Sequence, residues 1–190
     1  MSRHDGAEIE LAMSQPGTSG GRAGGKRSAA RLAAVQALYE MEFTGIPMDG
    51  VLSNFLARRW KLTETDGANS EIGETGALVA PDLAFLEQLV RGFADRKADI
   101  DPAIQAALAP EGTPLERMEV VLRAILRLGA FELVARPDVD AATIIDEYVE
   151  LTHAFFAGRE PALVNGVLDR LARTIRGGGL HGAERTAGAG

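Results

Sequence analysis

Apolar side chains recur along this 190-residue chain at intervals of three and four residues, and this spacing constrains the fold more than any other feature. Such intervals place side chains on one face of an α-helix, whereas a half-buried β-strand needs strict alternation. Six segments show the helical spacing, and no run of alternating β-branched residues occurs. The segments are 28–43, 51–60, 81–108, 114–135, 138–156 and 161–175. The sequence therefore predicts an all-α fold.

The predicted helices have recognisable ends and faces. Ser28 is a predicted N-cap of the first helix, and Pro81 and Pro161 suit the first turn of two later helices. Asp138 or Asp140 is the predicted cap of the fifth helix. Segment 114–135 is apolar over a wide arc, which predicts the central and most buried helix. The inward-facing positions of the first helix are Leu32, Val35, Leu38, Tyr39 and Phe43.

Composition separates an ordered body from flexible segments. Residues 1–25 and 177–190 are rich in glycine and small residues, so they cannot offset the entropy cost of ordering and are predicted to be flexible tails. The body spans 26–176. Within it, residues 62–82 carry five acidic and no basic side chains, with three glycines, and are predicted to form a mobile acidic connection.

Charge and composition exclude several functions. The formal net charge is −7, which argues against indiscriminate nucleic-acid binding but leaves room for a local basic surface. With no cysteine, the chain has no disulfide, thiolate metal site or cysteine nucleophile. No signal peptide or membrane-spanning stretch is apparent, so a cytoplasmic protein is expected. Isolated histidines predict no metal site, no cofactor is expected, and no nucleophile stands beside a base.

One basic run stands out in this acidic chain. From residue 20 to residue 31 there is no acidic side chain, and the run has four cations. They are Arg22, Lys26, Arg27 and Arg31. Such cations can neutralise phosphates, and Gln36 and Tyr39 follow on the same helix within plausible reach of bases. On these residues alone, a basic tail that serves solubility remains the alternative.

Four blocks of sequence, taken in order, resemble the NusB family of bacterial transcription antitermination factors. They are Ala34–Tyr39 (AVQALY), Leu126–Leu133 (LRLGAFEL), Ile144–Leu151 (IIDEYVEL) and Val164–Arg170 (VNGVLDR). The resemblance covers roughly residues 27–176. It implies a helical bundle of two small packed subdomains.

The resemblance also implies partners. Members of this family bind the boxA element of ribosomal RNA leader transcripts as single-stranded RNA. They pair with NusE, a small-subunit ribosomal protein, and the pair joins other Nus factors on RNA polymerase. Some members dimerise through the RNA-facing surface, so the sequence leaves monomer and homodimer open. A non-enzymatic regulator is implied.

The residues that match the family's contact regions are the expected site. For RNA they are Lys26, Arg27, Arg31, Gln36 and Tyr39, supplemented by Arg22 and Arg159. For NusE they are Glu116, Glu119 and Arg123 at the start of the central helix. Asn165 and Gly166 are expected to serve close helix packing and a buried hydrogen bond. Arg127 and Glu132 are expected to find partners inside the fold, because an unpaired buried charge is costly.

Two other functions remain open at this point. One is a helical adaptor that binds protein only. The other is a stand-alone module in ribosomal RNA modification, because the N-terminal part of ribosomal RNA cytosine methyltransferases is similar to the NusB family. The missing cysteines and the lack of room for a cofactor-binding α/β domain argue against the second.

Overall fold

The computed structural model describes residues 21–53 and 79–179 of the chain. These two stretches contain helices and helical turns and no strand, which confirms the predicted all-α fold. The helices are α1 (Gly21–Thr44), α2 (48–53), α3 (Leu83–Leu108), α4 (Val120–Ala135), α5 (Ala141–His153) and α6 (Glu160–Thr174). The 3₁₀ turns Ala109–Glu111 and Leu115–Arg117 join α3 to α4, and the π-helical turn Ile175–Gly179 follows α6.

Parts of the predicted organisation lie outside the described residues. They are residues 1–20 of the N-terminal tail, 54–60 of the second predicted helix, 62–78 of the acidic connection and 180–190 of the C-terminal tail. Within the described part, α1 begins at Gly21, so its backbone is already helical where the sequence predicted a tail up to residue 25. Among the described residues, no helix is long and apolar enough to cross a membrane.

α4 is the central helix, as predicted. All twelve residues from Leu122 to Leu133 are buried, including Arg123, Arg127 and Glu132. α1, α3, α5 and α6 each pack against α4, while α1 also packs on α3 and α5 on α6. The core is thus continuous through α4, and any polar group on that helix needs a partner within the protein.

Two glycines allow the helices to approach closely. A Cβ on Gly92 of α3 would lie 2.2 Å from Cζ of Phe131, so the phenyl ring of α4 occupies the space where α3 has no side chain. A Cβ on Gly129 of α4 would lie 2.9 Å from Cδ1 of Leu168 and 3.3 Å from Cγ of Tyr148. Both glycines therefore serve packing at helix crossings.

Several helix ends differ from their predicted positions. Ser28 lies inside α1, and its hydroxyl donates to Oε2 of Glu147 at 2.7 Å instead of capping a helix. α3 is capped by Asp82, whose Oδ1 accepts the Phe85 amide at 3.1 Å, so α3 begins after Pro81. Asp140 occupies the N-cap position of α5 without a side-chain hydrogen bond. Pro161 lies in the first turn of α6, as predicted.

Candidate nucleic-acid interface

An open aromatic groove lies where α1 passes α4 and the end of α5. It has a volume of about 380 Å³ and an apolar floor that includes Val35 and Val121. Three aromatic side chains line it with unusual exposure, 40% for Tyr39, 77% for Phe43 and 40% for Phe155. Exposed apolar clusters of this kind mark sites of interaction.

The direction of α1's buried face explains why this groove is open. Small and medium side chains fill the side of α1 that packs on the other helices. They are Ala30, Ala33, Ala34, Val35, Ala37 and Leu38. Tyr39 and Phe43, one turn apart, are left on the solvent side with parallel rings, 5.9 Å between centroids and 6° between planes. The prediction that Tyr39 and Phe43 face the core is therefore wrong.

Polar groups border the groove on α1. Gln36, Glu40 and Thr44 succeed one another at single-turn spacing along its edge. The Thr44 hydroxyl donates to the Glu40 carbonyl oxygen at 2.6 Å and accepts the Ile46 amide at 3.2 Å. Gly45, with φ of +70°, then ends the helix in the left-handed conformation that glycine adopts without strain.

The cations predicted to meet RNA lie in unlike surroundings. Lys26 and Arg27 are exposed near the start of α1, with the Arg27 guanidinium 5.6 Å from the centroid of the Phe85 ring. Arg159 is exposed at the N-cap position of α6. Arg22 belongs to the first turn of α1, and its side chain is outside the described part of the structure. Within the described ranges, Lys26, Arg27 and Arg159 form no ion pair, so their charges are available.

Arg31 differs from its neighbours, and its predicted role as an RNA contact needs correction. It is 6% exposed. Its Nε and Nη2 donate to the two carboxylate oxygens of Glu132 at 2.9 and 2.5 Å, and its Nη1 donates to Glu147 at 3.0 Å. All three guanidinium nitrogens are thus bonded to carboxylates of α4 and α5, so Arg31 anchors α1 and is not free to bind phosphate.

A buried tyrosine hydroxyl contacts the Arg31–Glu132 ion pair. Tyr148 donates its hydroxyl to Oε2 of Glu132 at 2.9 Å. Burial lowers the pKa of Arg31, but the hydrogen bonds and negative charge of Glu132 outweigh burial and leave that pKa raised. Burial raises the pKa of Tyr148 well above its ordinary value, and the charge of Glu132 adds to the rise. Arg31 therefore stays cationic and Tyr148 stays neutral.

A second buried charge cluster corrects the expectation for Arg123. This residue is 7% exposed, and its Nη1 donates to the carbonyl oxygens of Glu116 and Met118 at 2.9 and 3.1 Å. Its Nη2 pairs with Glu42 of α1. The Arg123 side chain is thus occupied by the fold and does not present a charge to a partner protein. Among the described residues, only its Nε is buried without a partner.

The expected internal partners of Arg127 and Glu132 are confirmed. Arg127 makes two parallel hydrogen bonds to Asp101, at 2.9 and 2.8 Å, and a third to Glu42 at 3.2 Å. Asn165, by contrast, is exposed, so the expected buried hydrogen bond is wrong for this residue. A Cβ on the neighbouring Gly166 would lie 3.8 Å from Nη1 of Arg170, which is ordinary contact.

The remaining predicted contact residues, Glu116, Glu119 and Gln36, are at least partly exposed to solvent. Glu116 and Glu119 are exposed before α4, where Oε2 of Glu119 also accepts the Leu122 amide at 3.2 Å and caps that helix. Gln36 is half-buried at the rim of the aromatic groove. Within the two described stretches, no three acidic or histidine side chains are grouped as a metal site would need.

Fold and groove together define a class of protein: a small all-α domain with an open groove along the exposed face of its first helix. Comparison with known proteins makes the assignment specific. Residues 28–173 match the model of the NusB family, so the chain belongs to the NusB family.

Relatives and solved structures agree with this assignment. The transcription antitermination protein NusB of Maricaulis maris is 47% identical over 79% of this chain and 88% of its own length, and that of Caulobacter vibrioides is 43% identical over 79% and 94%. A structure of NusB from T. maritima has a TM-score of 0.59 with 27% identity, covering 77% of this chain and 90% of that one. A crystal structure of antitermination factors NusB and NusE in complex with dsRNA has a TM-score of 0.58 and covers 77% of this chain and 96% of that one. Its sequence identity is 20%, so it supports the fold alone.

Proposed function

We propose that this chain is a non-enzymatic adaptor of transcription antitermination that binds the single-stranded boxA element of ribosomal RNA leader transcripts together with NusE. The observation that carries the proposal is the exposed aromatic groove formed by Tyr39, Phe43 and Phe155. It lies on the same helix as the exposed cations Lys26 and Arg27. Named relatives are transcription antitermination proteins, which supports the process in which the chain acts.

The chemistry of the groove suits unstacked bases. Each base that stacks on an aromatic side chain contributes about 1 to 3 kcal/mol, with little dependence on sequence. Tyr39 and Phe43 offer two adjacent rings for this purpose, and Phe155 offers a third across the groove. Duplex bases are already stacked on each other, so the groove favours single-stranded RNA.

The cations contribute the phosphate contacts. Arg27 and Tyr39 are twelve positions apart on α1, which corresponds to about 18 Å along the helix axis. A single strand that follows α1 can therefore place phosphates near Lys26 and Arg27 while its bases reach the groove. Arg31 holds α1 in place through Glu132 and Glu147, and so acts on RNA only by positioning the helix. Gln36 lies at the rim, where it can meet a base edge.

Assembly with NusE is the second part of the proposal. NusB and NusE occur together in one of the structurally similar complexes. Glu116 and Glu119 are exposed before α4 and are the proposed contacts of this chain, whereas Arg123 is omitted because its guanidinium is bonded internally. Two linked binding surfaces raise the effective affinity of each, so RNA binding should be tighter with NusE than without it.

One observation favours a second candidate, an adaptor that binds protein only. Next to the aromatic groove, α1 and α5 border an acidic groove of about 370 Å³ lined by Ser28, Asp146, Glu147 and Glu150, among others. A basic protein surface would fit there better than RNA. This alternative predicts binding of NusE with no contribution from RNA.

A mobility-shift experiment with boxA-like RNA separates the two. The chain, NusE and the mixture are each titrated with RNA, and the double variant Tyr39→Ala/Phe43→Ala is compared with Leu83→Ala, which truncates an exposed apolar side chain of α3. We expect the double variant to weaken RNA binding at least tenfold and Leu83→Ala to leave it unchanged. If the chain alone shifts no RNA, and the mixture contains both proteins but binds RNA no more tightly than NusE alone, the protein-only adaptor is correct.

A further inference from the structure

Glu40 is an unusual residue at the rim of the aromatic groove. Its side chain is half-buried and lines the groove beside Tyr39. Within the described part of the chain, the Glu40 carboxylate takes part in no hydrogen bond or ion pair, in contrast to Glu42, Glu132 and Glu147. A negative charge at a site for a polyanion is unfavourable unless the charge serves recognition.

The position of Glu40 brings it to the edge of any base in the groove. Gln36 is one turn before it and Phe43 and Thr44 are one turn after it, so these side chains share a strip of the helix surface. A base that stacks on Tyr39 or Phe43 therefore has its edge within reach of the Glu40 carboxylate. An ionised carboxylate can only accept hydrogen bonds, and it has two oxygens side by side.

Only one RNA base has two adjacent donors on its Watson–Crick edge. Guanine presents N1–H and the N2 amino group next to each other, which matches the two oxygens of a carboxylate. Adenine and cytosine present one amino group beside a ring nitrogen that accepts, and uracil presents one N–H between two carbonyl oxygens. For these three bases, a carboxylate gains one hydrogen bond and meets at least one repelling acceptor.

We propose that Glu40 accepts both hydrogen bonds from a guanine held in the aromatic groove and so makes this groove selective for guanine in single-stranded RNA. The inference rests on the proposed RNA-binding function and adds the base that this site prefers. Hydrogen bonds to a charged group are about twice as strong as neutral ones. A site that forms them also discriminates against a base that lacks the donors, because its charge is then left unpaired.

Because Glu40 is a carboxylate, its replacement should change the affinity for RNA with guanine and for RNA without guanine in opposite directions. Replacing Glu40 by glutamine keeps the size of the side chain, removes the charge and turns one acceptor into a donor. RNA that contains guanine should then bind more weakly, because a paired hydrogen bond is lost. RNA without guanine should bind more tightly, because the repulsion between the carboxylate and the phosphates is removed.

The experiment measures fluorescence anisotropy of labelled ten-nucleotide uridine RNAs with the full chain at low salt. One RNA carries a single guanosine, a second carries inosine in its place, which lacks the N2 amino group, and a third carries only uridine. The proteins are wild type, Glu40→Gln, Tyr39→Ala and Glu150→Gln. The last removes one exposed carboxylate from the acidic groove and so measures the general effect of charge.

We expect wild type to bind the guanosine RNA about tenfold more tightly than the inosine RNA. In Glu40→Gln this ratio should fall close to one, while Glu150→Gln should retain it. A wild-type ratio near one, or a ratio that survives in Glu40→Gln, would overturn the inference. In either case, weaker binding of all three RNAs by Tyr39→Ala than by wild type would support the proposed RNA-binding function independently of base preference. If the chain binds none of the RNAs and does not add to binding by NusE, both proposals fail.

Discussion

Arg27 and Arg31 lie one turn apart on α1, and their surroundings differ in the carboxylates within reach. The Arg31 guanidinium is bonded to Glu132 and Glu147, whereas the guanidinium of Arg27 lies 5.6 Å from the centroid of the Phe85 ring and is otherwise exposed. In sequence the two residues look equivalent. Arg31 faces the protein interior because Glu132 on α4, about a hundred positions away, binds its guanidinium. The local spacing of residues in α1 carries no information about such a distant partner.

This difference predicts that one alanine substitution lowers the stability of the protein and the other lowers its affinity for RNA. Arg31→Ala leaves Glu132 buried without its cation, and removing one partner of a buried pair typically costs about 3 to 5 kcal/mol of unfolding free energy. Arg27→Ala should leave the unfolding free energy nearly unchanged and weaken RNA binding instead. Urea unfolding followed by circular dichroism measures the first effect, and anisotropy at low salt the second. A stable Arg31→Ala protein with weakened RNA binding would restore Arg31 as a direct RNA contact.

Tyr148 makes the stability of the protein sensitive to alkaline pH. Burial raises the pKa of Tyr148 in the folded state well above its ordinary value, while in the unfolded chain it titrates at about 10. Above that pH the unfolded state loses a proton that the folded state keeps. Stability contributed by Tyr148 is therefore complete below pH 10 and falls with rising pH, at up to about 1.4 kcal/mol per pH unit.

The chain has two tyrosines, which makes this prediction directly observable. In a Tyr39→Phe variant, ultraviolet absorbance of phenolate reports Tyr148 alone. We expect ionisation to coincide with unfolding in that variant, and Tyr148→Phe to lose stability less steeply with pH than wild type. Ionisation of Tyr148 in a protein that remains folded near pH 10 would contradict the prediction.

At the scale of the element, the helices themselves follow from the sequence. The apolar spacing predicted α3 to α6 and their order, and the wide apolar arc identified α4 as the central helix. On α1, the predicted core positions are confirmed for Val35 and Leu38, which are buried, and wrong for Tyr39 and Phe43, which are exposed. The buried face is made by alanines at 30, 33, 34 and 37, which are small because α3 and α4 pack closely there. The sequence does not identify Phe155 as a site residue, since an aromatic residue usually indicates a core position.

The crossings of the helices predict unlike effects for two glycine substitutions. Gly92→Ala places a methyl group 2.2 Å from Phe131, so the ring or the helix must shift, and overpacking of this kind typically costs about 1 to 3 kcal/mol. Gly166→Ala in α6 meets only Arg170 at ordinary contact distance and should stabilise the protein by up to about 1 kcal/mol through helix propensity. Thermal unfolding of both variants tests this contrast. Equal effects of the same sign would mean that α3 and α4 do not approach as closely as described.

At the scale of the whole molecule, charge is unevenly placed. The net charge is −7, yet the start of α1 exposes Lys26 and Arg27, and the acidic residues of α5 lie directly beside that helix. The sequence indicated the basic run, but it could not show that α5 brings Asp146, Glu147 and Glu150 alongside it. The proposed RNA-binding surface is thus a narrow strip of α1, so the proposal requires stacking to contribute much of the binding energy.

This confinement predicts a weak dependence of RNA binding on salt. Each phosphate neutralised on single-stranded RNA contributes about −0.7 to the slope of log K against log salt, so two cations give a slope of about −1.4. Arg27→Ala should reduce the steepness by about 0.7, whereas Arg96→Ala, which removes an exposed cation of α3, should leave it unchanged. Tyr39→Ala should lower the affinity at every salt concentration without altering the slope, because stacking releases no counterions. A slope several times steeper in wild type would mean that RNA contacts many more cations than α1 exposes, and the binding surface would then have to extend beyond this helix.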